Sequence, residues 1–306
     1  MTVTVDAVEP VRHRAGILDK ARDVLPKIVL APSFALILFF VYGFILWTLY
    51  LSFTNSRIQP VYEIVGFDAY VNLWSQPNWY VALKNLAIFG SLYIFFCIAI
   101  GLTLAILLDQ RIRGEGLLRP IFLYPMALSF VVTGTAWKWF LNPGLGLERT
   151  MQQWGWESFE FDWLVSTDMA IYTIVIAGVW QASGFVMAMF LAGLRGIDGE
   201  IIKAAEIDGA STFAIYRRII IPLLRPAFLS AVIVLAHMAI KSYDLVIALT
   251  GGGPGNATEL PSTFMYSYTF TRSQMAVGSA SAIMMLMGIT AIIVPYLYSE
   301  LRERER

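Results

Sequence analysis

The chain has 306 residues, of which 58% are apolar, 14% aromatic and only 14% charged, and its formal net charge is zero. A chain of this length with so few charges is too apolar for a water-soluble domain. The balanced charge also gives no support to nucleic acid as a partner. Composition therefore predicts an integral membrane protein.

Six apolar runs are long enough to cross a bilayer as helices, because a span needs about 20 residues. In chain order the predicted spans are 28–53, 83–108, 117–141, 169–194, 223–249 and 275–298. The polar segment 1–27 is too long and too mixed in charge for a signal sequence, so the first run is predicted to be an uncleaved anchor. The predicted fold class is an all-α integral membrane protein with six transmembrane helices, in one domain over 28–298 with a tail at 299–306.

Lysine and arginine predict the orientation, because positively charged loops remain in the cytoplasm. Sixteen of these residues lie in the N-terminal segment, at the second and fourth connections and in the tail. The opposite connections hold three, which are Arg57, Arg149 and Arg272. Both termini, segment 1–27 and tail 299–306 are therefore predicted to be cytoplasmic.

The connection between the fourth and fifth spans has its own pattern. Residues 201–208 place apolar and small side chains at helical spacing, and Gly209 is a typical helix stop. Ser211 can cap a second short helix that runs towards Arg218. The sequence predicts two short helices along the membrane surface. Their apolar side chains either contact another surface or pack beneath the chain's own spans, and composition leaves both readings open.

Two motifs carry a resemblance to a known family. Ala204-Ala205, Asp208-Gly209-Ala210, then Ile219 and Pro222, resemble the EAA loop in permease subunits of bacterial ABC importers. The stretch 249–258, which reads Leu-Thr-Gly-Gly-Gly-Pro-Gly-Asn-Ala-Thr, is similar to one common in carbohydrate-importer permeases of the maltose and glycerol-phosphate type. The two motifs lie at the family's spacing, and the resemblance extends over most of the chain.

The resemblance implies that loop 196–222 contains a coupling helix seated in a groove of a cytoplasmic ATPase subunit. Closure of the ATPase would then drive alternating access. The coupling residues implied are Lys203, Ala204, Ala205, Glu206, Asp208, Gly209, Ala210 and Pro222. Lys203 stands where the family has glutamate, so the charge is reversed at one docking position, where Glu200 or Glu206 could compensate.

By the same resemblance, the chain is a multi-pass protein of the bacterial inner (cell) membrane and not an enzyme. Its implied partners are a second homologous permease subunit, a cytoplasmic ATPase dimer, an external or periplasmic solute-binding protein, membrane lipid and a small-molecule sugar. ATP and magnesium are expected on the ATPase partner and no cofactor on this chain. The glycine run 251–255 lacks the Gly-Lys-Ser/Thr ending of a phosphate-binding loop. No metal is expected, because ligands do not cluster around the single cysteine, Cys97.

Polar residues inside apolar spans are candidates for a solute path, because burying them in a membrane is costly. His237, Lys241 and Asp244 recur at i, i+4 and i+7, which predicts a shared face on a continuous fifth helix. Lys241 and Asp244 would either contact the solute or neutralise each other as a packing pair. Ser242 and Tyr243 flank this face.

The fourth span mixes aromatic rings with hydrogen-bonding groups, as a sugar site requires. These residues are Trp180, Gln181, Ser183 and Phe185. By the resemblance, permeases of the maltose system contact ligand at positions matching Ala182, Phe185, Met238, Ala239 and Ser242. The predicted path comprises Trp180, Gln181, Ala182, Ser183, Phe185, His237, Met238, Ala239, Lys241, Ser242, Tyr243 and Asp244. Packing against neighbouring spans is the alternative for each of them.

Two other functions compete with an importer permease. An ion-coupled secondary transporter would need inverted repeats and spans broken at matching places, and the sequence shows no repeat. A membrane enzyme would need a catalytic constellation, for which the two histidines, His13 and His237, provide little. The sequence therefore favours a permease for a sugar or sugar derivative, neutral or charged, whose identity it leaves open.

Overall fold

The computed structural model describes residues 17–110 and 114–304, and every regular element in these residues is helical. Five of the sixteen lysines and arginines used to predict orientation lie outside this part of the chain, namely Arg12, Arg14, Arg111, Arg113 and Arg306. The chain forms two compact units, which meet between Tyr50 and Leu51 in sequence.

The described part of the first unit, 17–50, is one long helix, which ends with Leu51 of the second unit. It consists of α1 (Ile17–Ile37), a π-helical turn (Leu38–Tyr42) and α2 (Gly43–Leu51). Lys27–Leu51 is long and apolar enough to cross a membrane, in agreement with the predicted span 28–53. Large apolar side chains along it, such as Phe39, are exposed, as expected for a helix that contacts lipid or another membrane chain.

Three helices of the second unit are uninterrupted candidate spans. They are α4 (Pro77–Asp109), α8 (Ala170–Arg195) and the stretch Met275–Tyr296 of α15 (Met275–Arg304). The predicted spans 83–108, 169–194 and 275–298 are therefore confirmed as apolar helices of sufficient length. Helices α4 and α8 pack closely, since a Cβ atom added to Gly101 would lie 2.7 Å from Cγ1 of Val186.

The third predicted span, 117–141, is wrong as a single straight helix. The chain instead forms α5 (Glu115–Ala127) and α6 (Phe130–Phe140), which meet at an angle of 98°. Pro125 lies one turn before the break, and the Ser129 side chain caps α6 by accepting from the backbone N–H of Val132 at 3.3 Å. A proline and an N-cap in succession end one helix and start another.

The fifth predicted span, 223–249, is also broken. Its helices are α12 (Arg225–Ile240) and α13 (Asp244–Leu249), and α12 meets the preceding helical stretch Thr212–Leu223 at 61°. The predicted end of this span at residue 249 is confirmed, because α13 stops at Leu249. The described residues thus hold four uninterrupted candidate spans, or up to six if each bent pair crosses as one.

Short helices join the spans. These are α3 (Asp68–Ser75), α7 (Leu147–Gln153), α9 (Gly199–Ile207), α10 (Thr212–Ile215), α11 (Ile221–Leu223) and α14 (Pro261–Tyr266), with π-helical turns at Tyr216–Ile220 and Ser267–Thr271. One buried cluster of apolar residues runs through α4, α8 and α12 and includes the fully buried Phe190 and Leu235. A second joins Trp79 and Leu73 to Phe264 and Tyr268.

Candidate functional site

The connection between α8 and α12 contains two short helices, α9 and α10, which we call the paired short helices. Asp198 caps α9 by accepting from the N–H of Glu200 at 2.9 Å. At the other end the N–H of Gly209 bonds to the carbonyl of Glu206, and that of Ala210 to the carbonyl of Ala205, each at 3.0 Å. This double pattern is the Schellman motif, which needs a left-handed residue, and Gly209 has a φ of 80°.

The second helix of the pair starts as the sequence predicts. The Ser211 hydroxyl accepts from the N–H of Ala214 at 3.3 Å and caps α10. The chain then continues through a π-helical turn and reaches α12 after Pro222. The predicted order of short helix, glycine break and short helix is confirmed, whereas the N-cap at Asp198 was not predicted, although an acidic residue before Gly199 is a typical cap signal.

The paired short helices have one anchored side and one free side. Ala205 and Ile215 are buried, and the hydroxyl of Tyr216 accepts from the Gln110 side chain at 3.0 Å. In contrast, Ile207 is 86% exposed and Phe213 73% exposed. The sequence left open whether the apolar side chains of the paired short helices pack beneath the spans or contact another surface. Each alternative applies to some of them, since some pack beneath the spans and others face outward.

The predicted coupling residues lie mostly on the free side. Lys203, Ala204, Glu206, Asp208, Gly209 and Pro222 are exposed, Ala210 is half-buried and Ala205 is buried. Nζ of Lys203 lies 3.4 Å from Oε1 of Glu200, and both side chains are well exposed. An exposed pair of this kind contributes little to stability, so Lys203 remains available to a partner.

A charged cluster holds the helix ends that precede the pair. Arg195, at the end of α8, lies 2.6 Å from a carboxylate oxygen of Glu115 and 4.0 Å from one of Asp109. Glu115 also contacts Arg119 one turn along α5. The cluster ties α4, α5 and α8 together at this end. The sequence does not predict this charged cluster, because its members are separated by up to 86 positions.

The predicted shared face of His237, Lys241 and Asp244 is wrong. Helix α12 ends at Ile240, with the N–H of Ser242 bonding to the carbonyl of Ala239, and a new helix begins at Asp244. The three residues are exposed. The N–H of Lys241 still bonds to the carbonyl of His237 at 3.2 Å, so these two keep helical spacing, and the break separates them from Asp244. Among the described residues, no ion pair within 4.0 Å joins Lys241 to Asp244.

The non-helical residues at the break in the fifth span are stabilised by contacts from residues later in the chain. The hydroxyl of Ser262 donates to the carbonyl oxygen of Ser242 at 2.8 Å. The ring of Tyr243 lies 4.7 Å from that of Tyr266. The non-helical residues between α12 and α13 are thus held by α14, which follows them in sequence.

The predicted path residues of α8 point in different directions. Trp180 and Ser183 line an apolar cavity of about 690 Å³ between α4, α5, α6 and α8, where Trp180 packs edge-on against Trp137 at 5.8 Å. Gln181 and Ala182 are buried inside the unit. Nε2 of Gln181 donates to the carbonyl of Leu128 at 2.9 Å, and its Oε1 has no hydrogen-bond partner among the described residues.

The other predicted path residues divide between the core and separate cavities. Phe185, Met238 and Ala239 pack within or against the main apolar cluster, and Met238 receives a weak hydrogen bond from the hydroxyl of Tyr93 at 3.8 Å. His237 borders a small cavity beside α15, and Tyr243 borders one near the glycine run. The structure brings Trp180 and Ser183 to one cavity and places Tyr243 and His237 at two others.

Fold and site define an all-helical protein with several membrane spans, two of them bent, and an exposed helix pair next to the charged cluster. The family model described as the binding-protein-dependent transport system inner membrane component matches residues 97–304. The chain belongs to this family and is a multi-pass inner membrane protein. The predicted resemblance to permease subunits of ABC importers is confirmed.

Individual relatives agree with the family. A probable ABC transporter permease protein of Pyrococcus horikoshii is 39% identical, over 92% of this chain and 98% of its own length. A xylose/arabinose import permease protein of Haloferax volcanii is 34% identical, over 88% of this chain and 86% of its own length. The crystal structure of a bacterial alginate ABC transporter, in complex with an alginate pentasaccharide-bound periplasmic protein, contains a chain that aligns with a TM-score of 0.78 at 19% identity. The alignment covers 92% of this chain and 95% of that one.

Proposed function

We propose that this chain is the permease subunit of an ATP-driven importer for a sugar or sugar derivative and forms half of a translocation path. Its partners are a second permease, a cytoplasmic ATPase dimer that binds ATP and magnesium, and an external solute-binding protein. The family supports this assignment, as does the relative that imports xylose and arabinose. Six spans with both termini in the cytoplasm are part of the proposal.

The observation that carries the proposal is the free side of the paired short helices. Ile207 and Phe213 are the most exposed large apolar side chains of the connection between α8 and α12. Such exposure in a short connection is typical of a surface that contacts another protein. Since the unit is anchored through Ala205 and Ile215, a force applied to it would reach α8 and α12. That arrangement suits a coupling element that turns ATPase closure into alternating access.

Gly209→Asp tests this function in the complete transporter reconstituted in proteoliposomes. A side chain at φ 80° is strained by about 1–2 kcal/mol, but a Cβ at Gly209 would have no neighbour within 4 Å. The variant should insert and fold, yet lose ATP-driven uptake and solute-stimulated ATP hydrolysis. Gly66→Asp is the matched control, because Gly66 has a φ of 77° and equally open surroundings.

The control should transport at close to the wild-type rate. Unchanged uptake in Gly209→Asp would overturn the coupling role of the paired short helices. Uptake that continues without the ATPase subunit, driven by an ion gradient, would instead support the secondary transporter.

A further inference from the structure

The loop that follows α13 is held in place by a side chain of α4. Nδ2 of Asn85 donates to the carbonyl oxygens of Ala257 and Glu259, each at 3.0 Å, and lies 3.4 Å from that of Asn256. The hydroxyls of Thr250 and Thr258 lie 2.7 Å apart and close the loop on itself. Fixed main-chain contacts of this kind preorganise the side chains that the loop carries.

This loop lies far from the paired short helices. Asn85 is near the start of α4, whereas Asp109, which contacts Arg195, ends the same helix. The stretch 85–109 of an α-helix spans about 36 Å at a rise of 1.5 Å per residue. The loop and the charged cluster are therefore at opposite ends of α4, and in the proposed orientation the loop is at the outer end.

A pocket of about 270 Å³ opens beside the loop, lined by Glu259, Arg272, Tyr243, Tyr266 and Asn256 among others. Glu259 is only 7% exposed. Its Oε2 atom is buried, and no donor among the described residues bonds to it. Burial raises the pKa of this carboxyl group, an effect that the positive charge of Arg272 partly offsets. A buried acceptor without a protein donor is costly to the fold, so a donor from a ligand bound in the pocket would stabilise it.

The charges around the pocket select the kind of ligand. No lysine, arginine or histidine nitrogen in the described residues lies within 4.0 Å of the Glu259 carboxylate, so this group remains a free acceptor. The guanidinium of Arg272 offers donors and contacts Tyr268, with one nitrogen 3.1 Å from its hydroxyl. An anion would be repelled by Glu259 and a cation by Arg272. A hydroxyl group both donates and accepts, and therefore suits the two together.

We propose that this pocket is a subsite for a neutral, polyhydroxylated ligand, a free sugar whose hydroxyls donate to Glu259 while its C–H face packs against Tyr243 or Tyr266. The two rings lie 4.7 Å apart and present apolar surface beside hydrogen-bonding groups, as sugars require. The assignment rests on the proposed import function and narrows its substrate class to uncharged sugars. The subsite would receive the sugar at the outer end, before it passes between the spans.

The test is saturation-transfer NMR on the complete transporter without its binding protein, in a polyoxyethylene detergent that carries no sugar headgroup. The probes are D-glucose and D-xylose as neutral sugars, D-glucuronate as an anion and D-glucosamine as a cation. We expect the neutral sugars to bind, and Glu259→Gln to weaken that binding by about tenfold or more, the loss of a hydrogen bond to a charged group. Tyr266→Ala should weaken it as well, and Tyr266 is exposed enough for this variant to fold.

Glu157→Gln, in an exposed stretch before α8, is the matched control and should bind as wild type does. Glu259→Gln should fold at least as stably as wild type at neutral pH. Because burial raises the pKa of the Glu259 carboxyl group, the cost of its negative charge to the folded state grows as the pH rises through that pKa.

The subsite is overturned if no neutral probe binds to the wild type, if both pocket variants bind unchanged, or if either charged probe binds as tightly as glucose. Displacement of glucose by a galactolipid in nanodiscs would assign the pocket to a lipid headgroup and also overturn it. The binding measurement needs no ATP. Uptake that does not depend on the ATPase would contradict the import function, and the uptake measurement is independent of the binding measurement.

Discussion

The side-chain amide of Gln181 in α8 donates to the carbonyl oxygen of Leu128 across 2.9 Å. Leu128 lies in the break between α5 and α6, so its carbonyl has left the helical ladder and needs a donor from elsewhere. Gln181 is 3% exposed and provides that donor. The bend of the third span is thus stabilised by a residue 53 positions further along the chain.

Gln181→Met should destabilise the protein, because methionine fills a similar volume but cannot donate to Leu128. Leaving this part-buried carbonyl without its donor costs up to about 1–3 kcal/mol, the range for a buried group. The expected result is a lower melting temperature of the purified permease in detergent. Ser91→Ala is the control, since the Ser91 hydroxyl is exposed and bonds only within its own helix, and it should change stability by at most about 0.5 kcal/mol. Lost uptake at an unchanged melting temperature would instead assign Gln181 to the solute path.

The sequence predicts the straight spans well and the broken ones poorly, for a physical reason. A straight span such as α4 or α8 depends on a continuous apolar run, which is a local property. Each break is stabilised by a distant side chain, Gln181 in one case and Ser262 in the other. The apolar runs continue through both breaks and do not show these contacts. The first break also has local signals, Pro125 and the Ser129 cap.

The same distinction applies to the candidate site. The paired short helices could be predicted because their signals, a glycine in the left-handed region and the Ser211 cap, act within a few residues. The pocket at Glu259 could not be predicted, because it is formed where a loop, held by Asn85 of α4, lies beside Arg272. An acidic residue directly after the glycine-rich motif was the one local hint.

Gly184→Ala should disrupt the packing of α5 on α8. A Cβ atom at Gly184 would lie 1.8 Å from the carbonyl oxygen of Phe122, and backbone cannot move aside as a flexible side chain can. Overpacking usually costs about 1–3 kcal/mol, and a collision with backbone should reach or exceed the upper end. We expect a sharply reduced yield of folded permease by size-exclusion chromatography.

Gly288→Ala is the matched control for this collision. Gly288 also lies in a helix, α15, but a Cβ there would have nothing within 4 Å. Alanine is favoured over glycine in helices by up to about 1 kcal/mol, so this variant should be as stable as wild type or slightly more so. Equal yields from the two variants would show that α5 and α8 are not in close contact at Gly184.

Single cysteines should report the proposed orientation. The native Cys97 is buried and should not react with a membrane-impermeant maleimide in intact cells. Ser158→Cys, in the exposed connection before α8, should react from outside. Glu206→Cys, in the paired short helices, should react only after the cells are permeabilised. Labelling of Glu206→Cys in intact cells would reverse the orientation and remove the paired short helices from the ATPase side.

Ile207→Ala should weaken docking of the ATPase without changing the stability of the permease. Because the Ile207 side chain is 86% exposed, truncating it removes almost no contact within the chain. The stability of the folded permease should therefore change by no more than about 0.5 kcal/mol, as for a surface substitution, and the melting temperature should hardly change.

If the ATPase groove buries the Ile207 side chain, its loss costs about 1–3 kcal/mol of association free energy. That cost corresponds to an ATPase affinity weakened by roughly fivefold to a hundredfold or more, measured by titrating purified ATPase onto the permease pair. Leu145→Ala is the control, because Leu145 is 71% exposed and precedes α7, away from the paired short helices. Equal affinity in the two variants would mean that Ile207 does not lie in the docking surface.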